Sequence, residues 1–201
     1  MKTKHWIVAT TVAVAVVFMT PRVISQDVGA SGGLSQERLD ELAARNEPGP
    51  EHELLAGLVG EWTTKSRYFL NPGEAMLAEG KATNKMILGG RFLSSETTSR
   101  GGPVRQEGLN LFGFDRRLEE YTLATFDTWG TQYLTAVGYM NEETQEITVS
   151  GEDFDPGMAT VALFDIVLRL SGPDEYVLEF FENPTDGERA LRVETVYTRA
   201  N

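Results

Sequence analysis

The sequence predicts an all-β fold, an up-and-down antiparallel barrel of about ten strands, and three observations carry that expectation. A short apolar segment with helical spacing, Pro50-Glu51-His52-Glu53-Leu54-Leu55-Ala56-Gly57-Leu58-Val59, runs directly into Gly60-Glu61-Trp62, where the hydrophobic period changes from helical to two-residue alternation. From there to the end, turn signals recur about every ten residues between strand-like runs. The last run closes on Tyr197-Thr198-Arg199, in a phase that puts Arg199 on the same side as Trp62.

Ahead of the barrel, residues 1–25 read as a secretory leader. Lys2 and Lys4 make a basic start, residues 6–20 an apolar run, and Pro21 ends it, with Val23 and Ser25 as small residues before a cleavage near Gln26. The apolar run is about fifteen residues, where a spanning helix needs roughly twenty, so no stable membrane anchor is expected after cleavage. The address implied is periplasmic or secreted. Residues 26–49 read as a flexible tether: Gly29, Ser31, Gly32 and Gly33 loosen it. Ser35 opens a possible short helix with Leu39, Leu42 and Ala43 on one face, and Pro48-Gly49-Pro50 stops it. Residues 50–201 remain for a single barrel domain.

Composition narrows the function classes. The chain has no cysteine, which excludes disulfides, thiolate metal sites and a lipid anchor on an N-terminal cysteine, and leaves the core alone to hold the fold. It carries 18 basic and 30 acidic residues, a formal charge of -12. Removing the leader would take Lys2, Lys4 and Arg22 and no acid, deepening the imbalance. Such a surface repels phosphate backbones and anionic headgroups, so nucleic acid is not an expected partner.

Strand phases follow from the charges. Thr63, Lys65 and Arg67 face solvent, so Trp62, Thr64, Ser66 and Tyr68 face the interior. After Asn71-Pro72-Gly73, Glu79, Lys81 and Lys85 point outward, while Ala78, Gly80, Ala82, Asn84 and Met86 point inward; small interior residues either leave room or mark a bend. The segments around Glu96 and Asn110 do not alternate cleanly, and their inner face stays open. Later, Leu163, Asp165, Val167 and Arg169 share one face. In the final run Arg192 and Glu194 go outward, leaving Leu191, Val193, Thr195, Tyr197 and Arg199 inward. A ring of ten strands encloses more space than side chains fill, so a cavity is expected.

Taken together, His52-Glu53-Leu54-Leu55 to Gly60-Glu61-Trp62, Leu88-Gly89-Gly90-Arg91-Phe92-Leu93, Gly108-Leu109-x-Leu111-x-Gly113-Phe114-Asp115, Asp127-x-x-Gly130-Thr131 and Tyr197-Thr198-Arg199 resemble the DUF1579 family of lipocalin-like proteins. The resemblance spans about residues 50–200. It implies a calycin-type barrel in which Trp62 lies on the floor and Arg199 lays its guanidinium across the indole, tying first strand to last. It brings no catalytic residues with it.

Chemistry has little to build on. Past the leader there is one histidine, His52, flanked by Glu51 and Glu53. Ten-strand barrels of the nitrobindin group are similar in shape and hold haem through a histidine, but His52 stands before the barrel, and one imidazole without a thiolate makes no transition-metal site. Neither a metal nor a cofactor is therefore expected, and His52 reads as a helix-terminus residue. A Gly-x-Ser-x-Gly elbow is missing as well. Asp153-x-Asp155-Pro156-Gly157 lacks the remaining ligands of a calcium loop and reads as an acidic turn.

The reading reached is a non-catalytic barrel that binds a small apolar or amphipathic molecule. Its interior candidates are Trp62, Ser66, Tyr68, Ala82, Met86, Glu96, Asp127 and Tyr197, joined by Ala78 and Val193, with Trp62 and Arg199 as the closure. The alternative is an enzyme acting on a small hydrophobic substrate through a buried carboxylate, Asp127 or Glu96, with Asp165 and Glu179 also in strand-like runs. Trp129, in a turn, is placed at the cavity rim or over the barrel end. The leader makes one testable claim: N-terminal sequencing of exported protein should begin between Gln26 and Ser31, and an intact Met1 in the membrane fraction would overturn it.

Overall fold

The computed structural model describes residues 33–71, 74–101, 104–155, 159–184 and 188–201. The leader read over residues 1–25 and the start of the tether lie outside the described residues. So do the tips of four turns, among them Pro156 and Gly157 of the acidic turn.

Helices α1 (Gln36–Asn46) and α2 (Pro50–Ala56) precede ten strands: β1 (Gly60–Asn71), β2 (Glu74–Ile87), β3 (Phe92–Gly101), β4 (Val104–Asp115), β5 (Glu120–Asp127), β6 (Tyr133–Asn141), β7 (Glu146–Asp155), β8 (Thr160–Leu170), β9 (Glu175–Asn183) and β10 (Ala190–Arg199). Each strand pairs antiparallel with its neighbour in sequence, and β1 pairs with β10 to close the ring. With this topology, successive hairpin turns alternate between two ends. The end that holds α2, the β2–β3 and β4–β5 turns and the finish of β10 is the floor; the other is the mouth.

The floor is where local sequence becomes closure. Helix α2 is short, and the backbone just after it leaves carbonyls without helical partners. Three side chains take them, one from the strand that follows at once and two from strands farther along the chain. Trp62 Nε1 donates to Leu58 O at 2.9 Å, and Asn84 Nδ2 to the same oxygen at 3.0 Å. Arg199 donates to Val59 O at 2.9 Å and Gly57 O at 3.0 Å, and reaches Pro173 O from the β8–β9 turn at 2.7 Å. In the register of β1 against β10, Trp62 lies opposite Arg199, whose guanidinium carbon sits 4.3 Å above the indole ring. Gly60 completes the arrangement: its φ of 137° suits glycine, and a Cβ there would lie 2.8 Å from Arg199 Nη1.

His52 belongs to the same floor as a capping residue. Its Nδ1 accepts the Gly49 N–H at 3.0 Å, and its ring meets Phe114 edge-on. Burial pushes the imidazole pKa down, with Arg116 and Arg91 acting in the same direction and Glu51 against it. Helix α1 has no buried residue; Arg116 on the β4–β5 turn donates to Ala44 O at 2.9 Å and Glu47 O at 3.0 Å and so fixes its end.

Above the floor, Leu55, Trp62, Leu93, Phe164 and Leu168 form the fully covered part of the core. The outer face is laced by cross-strand ion pairs: Arg67 with Glu194 at 2.7 Å, and Arg169 with both Glu146 at 2.7 Å and Glu179 at 3.1 Å. Pairs this exposed each contribute little, typically under about 1 kcal/mol. Glu179 and Asp165 are thereby both engaged outside the barrel, Asp165 with Ser150 and Arg189.

The floor predicts two outcomes. Trp62→Ala should cost about 3–5 kcal/mol, since it removes a buried ring and leaves a cavity. Combined with Arg199→Ala in a double-mutant cycle, it should show coupling of at least about 0.5 kcal/mol in urea unfolding, and Arg199→Lys should recover only part of the loss because it lacks the planar fork. His52 sets a pH dependence. Because its folded-state pKa lies below the free value of 6.5, its contribution is complete above pH 6.5 and is lost as pH falls through the folded-state pKa. Unfolding curves between pH 8 and pH 5 should show a steeper loss for the native chain than for His52→Gln.

Candidate functional site

A cavity of about 380 Å³ occupies the upper half of the ring and opens at the mouth. Its two sides differ chemically. On one, β1, β3 and β4 present Ser66, Thr97, Ser99 and Asn110; on the other, β8 and β9 present Ile166, Leu178 and Phe180. The polar side is hydroxyl and amide, the opposite one aliphatic and aromatic.

Across the mouth, Tyr68 of β1 stacks on Trp129 of the β5–β6 turn, with centroids 5.5 Å apart and planes 18° from parallel. Tyr68 donates its hydroxyl to Gln106 Oε1 at 2.7 Å, which holds the ring in place. Two carboxylates stand here, Asp127 and Asp153; Asp127 accepts the Trp129 N–H at 2.8 Å, fixing the turn that carries the indole. Among the described residues, no lysine, arginine or histidine lines the cavity.

At the base, Thr64 and Tyr197 lie opposite each other in the register of β1 and β10, and both line the cavity. Thr64 is 5 % exposed and Tyr197 4 %. The Tyr197 ring stacks on Tyr176 at 4.2 Å, and Tyr176 in turn meets Trp62 edge-on at 4.8 Å, so the floor closure continues as an aromatic column up to the cavity. Burial pushes the Tyr197 phenol up, with the Tyr68 hydroxyl adding to it, and keeps it a neutral donor. Ser66 Oγ and Thr195 Oγ1 hydrogen-bond at 2.9 Å beside it.

Of the residues singled out from the sequence, Ser66, Tyr68, Asp127, Val193 and Tyr197 line this cavity, and Trp129 stands at its rim. Trp62 and Ala82 lie below it in the core, and Met86 packs against that core. Glu96 is a correction: it is exposed on the outer face of β3, whose inward residues are Leu93, Ser95, Thr97 and Ser99. It neither touches the interior nor serves as a buried acid. The small residues of β2 also do something other than make room. No β2 residue lines the cavity, Ala78 and Ala82 are buried, and a Cβ on Gly80 would collide with the backbone oxygen of Thr98. They let β2 bend closely against β1 and β3.

The residues the sequence did not single out are the polar side from β3 and β4 and the apolar side from β8 and β9. Phe164, Ile166 and Leu168 alternate with Asp165 and Arg169, and that alternation was the available signal for β8. A second hollow, at the closed end, is walled by Arg91, Arg116 and Arg117 among others. Three of its guanidinium groups are engaged: Arg91 pairs with Glu47, Arg116 holds the α1 carbonyls, and Arg117 binds Asp115, whose pKa it holds down to about 2. Among the described residues, no three of His, Asp and Glu are grouped as a metal ion would require.

Comparisons with known proteins add to this geometry. The family model described as "Protein of unknown function (DUF1579)" matches residues 47–199. No curated protein matches the chain. Among solved structures, "Crystal Structure of Rv2717c from M. tuberculosis" aligns over 77 % of this chain and 100 % of that one, with a TM-score of 0.57 and 16 % identity. A likeness at that identity concerns the fold. "Structure of EF1p2_mFAP2b bound to DFHBI" aligns over 74 % of this chain and 98 % of that one, at 8 % identity and a TM-score of 0.39, too remote to bear on this chain.

Proposed function

The chain belongs to the DUF1579 family, and for this member we propose a binding barrel, exported to the periplasm or beyond, that holds a small amphipathic molecule in its interior without transforming it. The observation that carries the reading is the two-sided cavity of about 380 Å³, open at one end and built on a closed, rigid floor. Binding sites combine a large apolar area with a few fixed polar groups, and Leu178 and Phe180 facing Ser99 and Asn110 supply both. The enzymatic alternative has lost Glu96 to the outer face, and what it keeps, Asp127, is exposed at the mouth and turned to the Trp129 N–H.

The neutral fluorophore N-phenyl-1-naphthylamine tests the reading. Titrated into the protein, it should brighten and saturate with a Kd on the order of 10 µM, as expected for about 0.4 kcal/mol per heavy atom. Thr125→Trp, which places an indole into the cavity from the middle of β5, should weaken binding at least about tenfold while leaving the melting temperature little changed. Equal binding by both proteins, or none by the native one, would sink the reading.

A further inference from the structure

Resting on that reading, we infer that the cavity takes an amphipathic amine whose far end carries a hydrogen-bonding oxygen, and that it rejects carboxylates such as fatty acids. Among the described residues, the charged side chains lining the cavity are Asp127 and Asp153, both acids, with no cationic residue to balance them. The indole of Trp129 stands beside them, half exposed, so an ammonium at the mouth meets carboxylates and an aromatic face together.

Acids at a mouth would by themselves be ordinary solvated surface; the base of the cavity supplies the independent observation. Thr64 and Tyr197 are both more than nine-tenths buried, both line the cavity, and neither side chain hydrogen-bonds to any described residue. Two hydroxyls without a protein partner at the base of the cavity leave hydrogen-bonding capacity that only solvent or a polar group of a ligand can use. A carbonyl or hydroxyl oxygen at the buried end of a ligand would accept from Tyr197. Its apolar body would lie on Ile166, Leu178 and Phe180, its polar edge along Thr97 and Ser99. A carboxylate has no good orientation. Inserted first, it would be desolvated against neutral hydroxyls only; left at the mouth, it would face Asp127 and Asp153.

Three fluorophores test this, each 6-acetylnaphthalene carrying at position 2 an aminomethyl, a hydroxymethyl or a carboxymethyl group. The amine should bind at least about tenfold more tightly than the carboxylate, with the alcohol between. Asp127→Asn combined with Asp153→Asn should bring that ratio close to one. Tyr197→Phe should weaken all three about fivefold, the loss of one buried hydrogen bond, yet leave the amine without its acetyl group unaffected, which a purely structural defect would not do. A carboxylate that binds as well as the amine, or acetyl compounds indifferent to Tyr197→Phe, would overturn the inference while the cavity reading stands. Failure of all three to bind would overturn both.

Discussion

The structure depends on one constraint: the carbonyl groups left open just past α2 must find donors, and they find them on the strand that follows at once and on strands far along the chain. Arg199 and Trp62 answer that need from the last strand and the first. A ring of ten strands cannot close unless its terminal strands meet in register, and here the register is fixed by side chains that also satisfy backbone groups. The cation lying over the indole adds attraction, but its larger effect is geometric. It holds the ring edge-on to Tyr176, which stacks on Tyr197, so the position of the cavity base follows from the closure of the floor.

The interior is divided between two chemistries along its height and across its width. Below, aliphatic and aromatic side chains fill the ring; above, they recede and leave a space with one wet side and one dry. The polar side tolerates hydroxyls with no protein partner because the cavity opens to solvent. Shape and chemistry are thus set by different strands. Ala78, Gly80 and Ala82 let β2 lie close between β1 and β3 from the floor up to the level of Ser66, while β3 and β4 furnish the polar groups of the cavity.

The fold was legible because most strands carry charges on alternate residues, and Lys65 and Arg67 alone suffice to send Trp62 and Ser66 inward. The same logic placed Arg199. It failed at β3 for a physical reason: Ser95, Thr97 and Ser99 face inward and Glu96 and Thr98 outward, so both faces are polar and alternation carries no signal. The site was therefore hidden in the segment where the interior is least like a core. Glu96 was misassigned for that reason, and Asn110 of β4 stayed ambiguous with it. Tyr68 and Tyr197 were found because they sit on strands whose outward charges fix the phase.

Closure has a consequence for how this molecule can meet others. Every strand of the ring has two hydrogen-bonded neighbours, so no strand offers its full length as an edge; the backbone left open is short and lies at the mouth, where β6 and β7 part beyond Ala136 and Gly151. A partner cannot dock by extending the sheet along a whole strand, the route many sandwiches leave open at an edge. Recognition of this barrel by another macromolecule is confined to side chains on the curved outer wall and to the turns at its two ends, where the mouth and the floor present unlike surfaces.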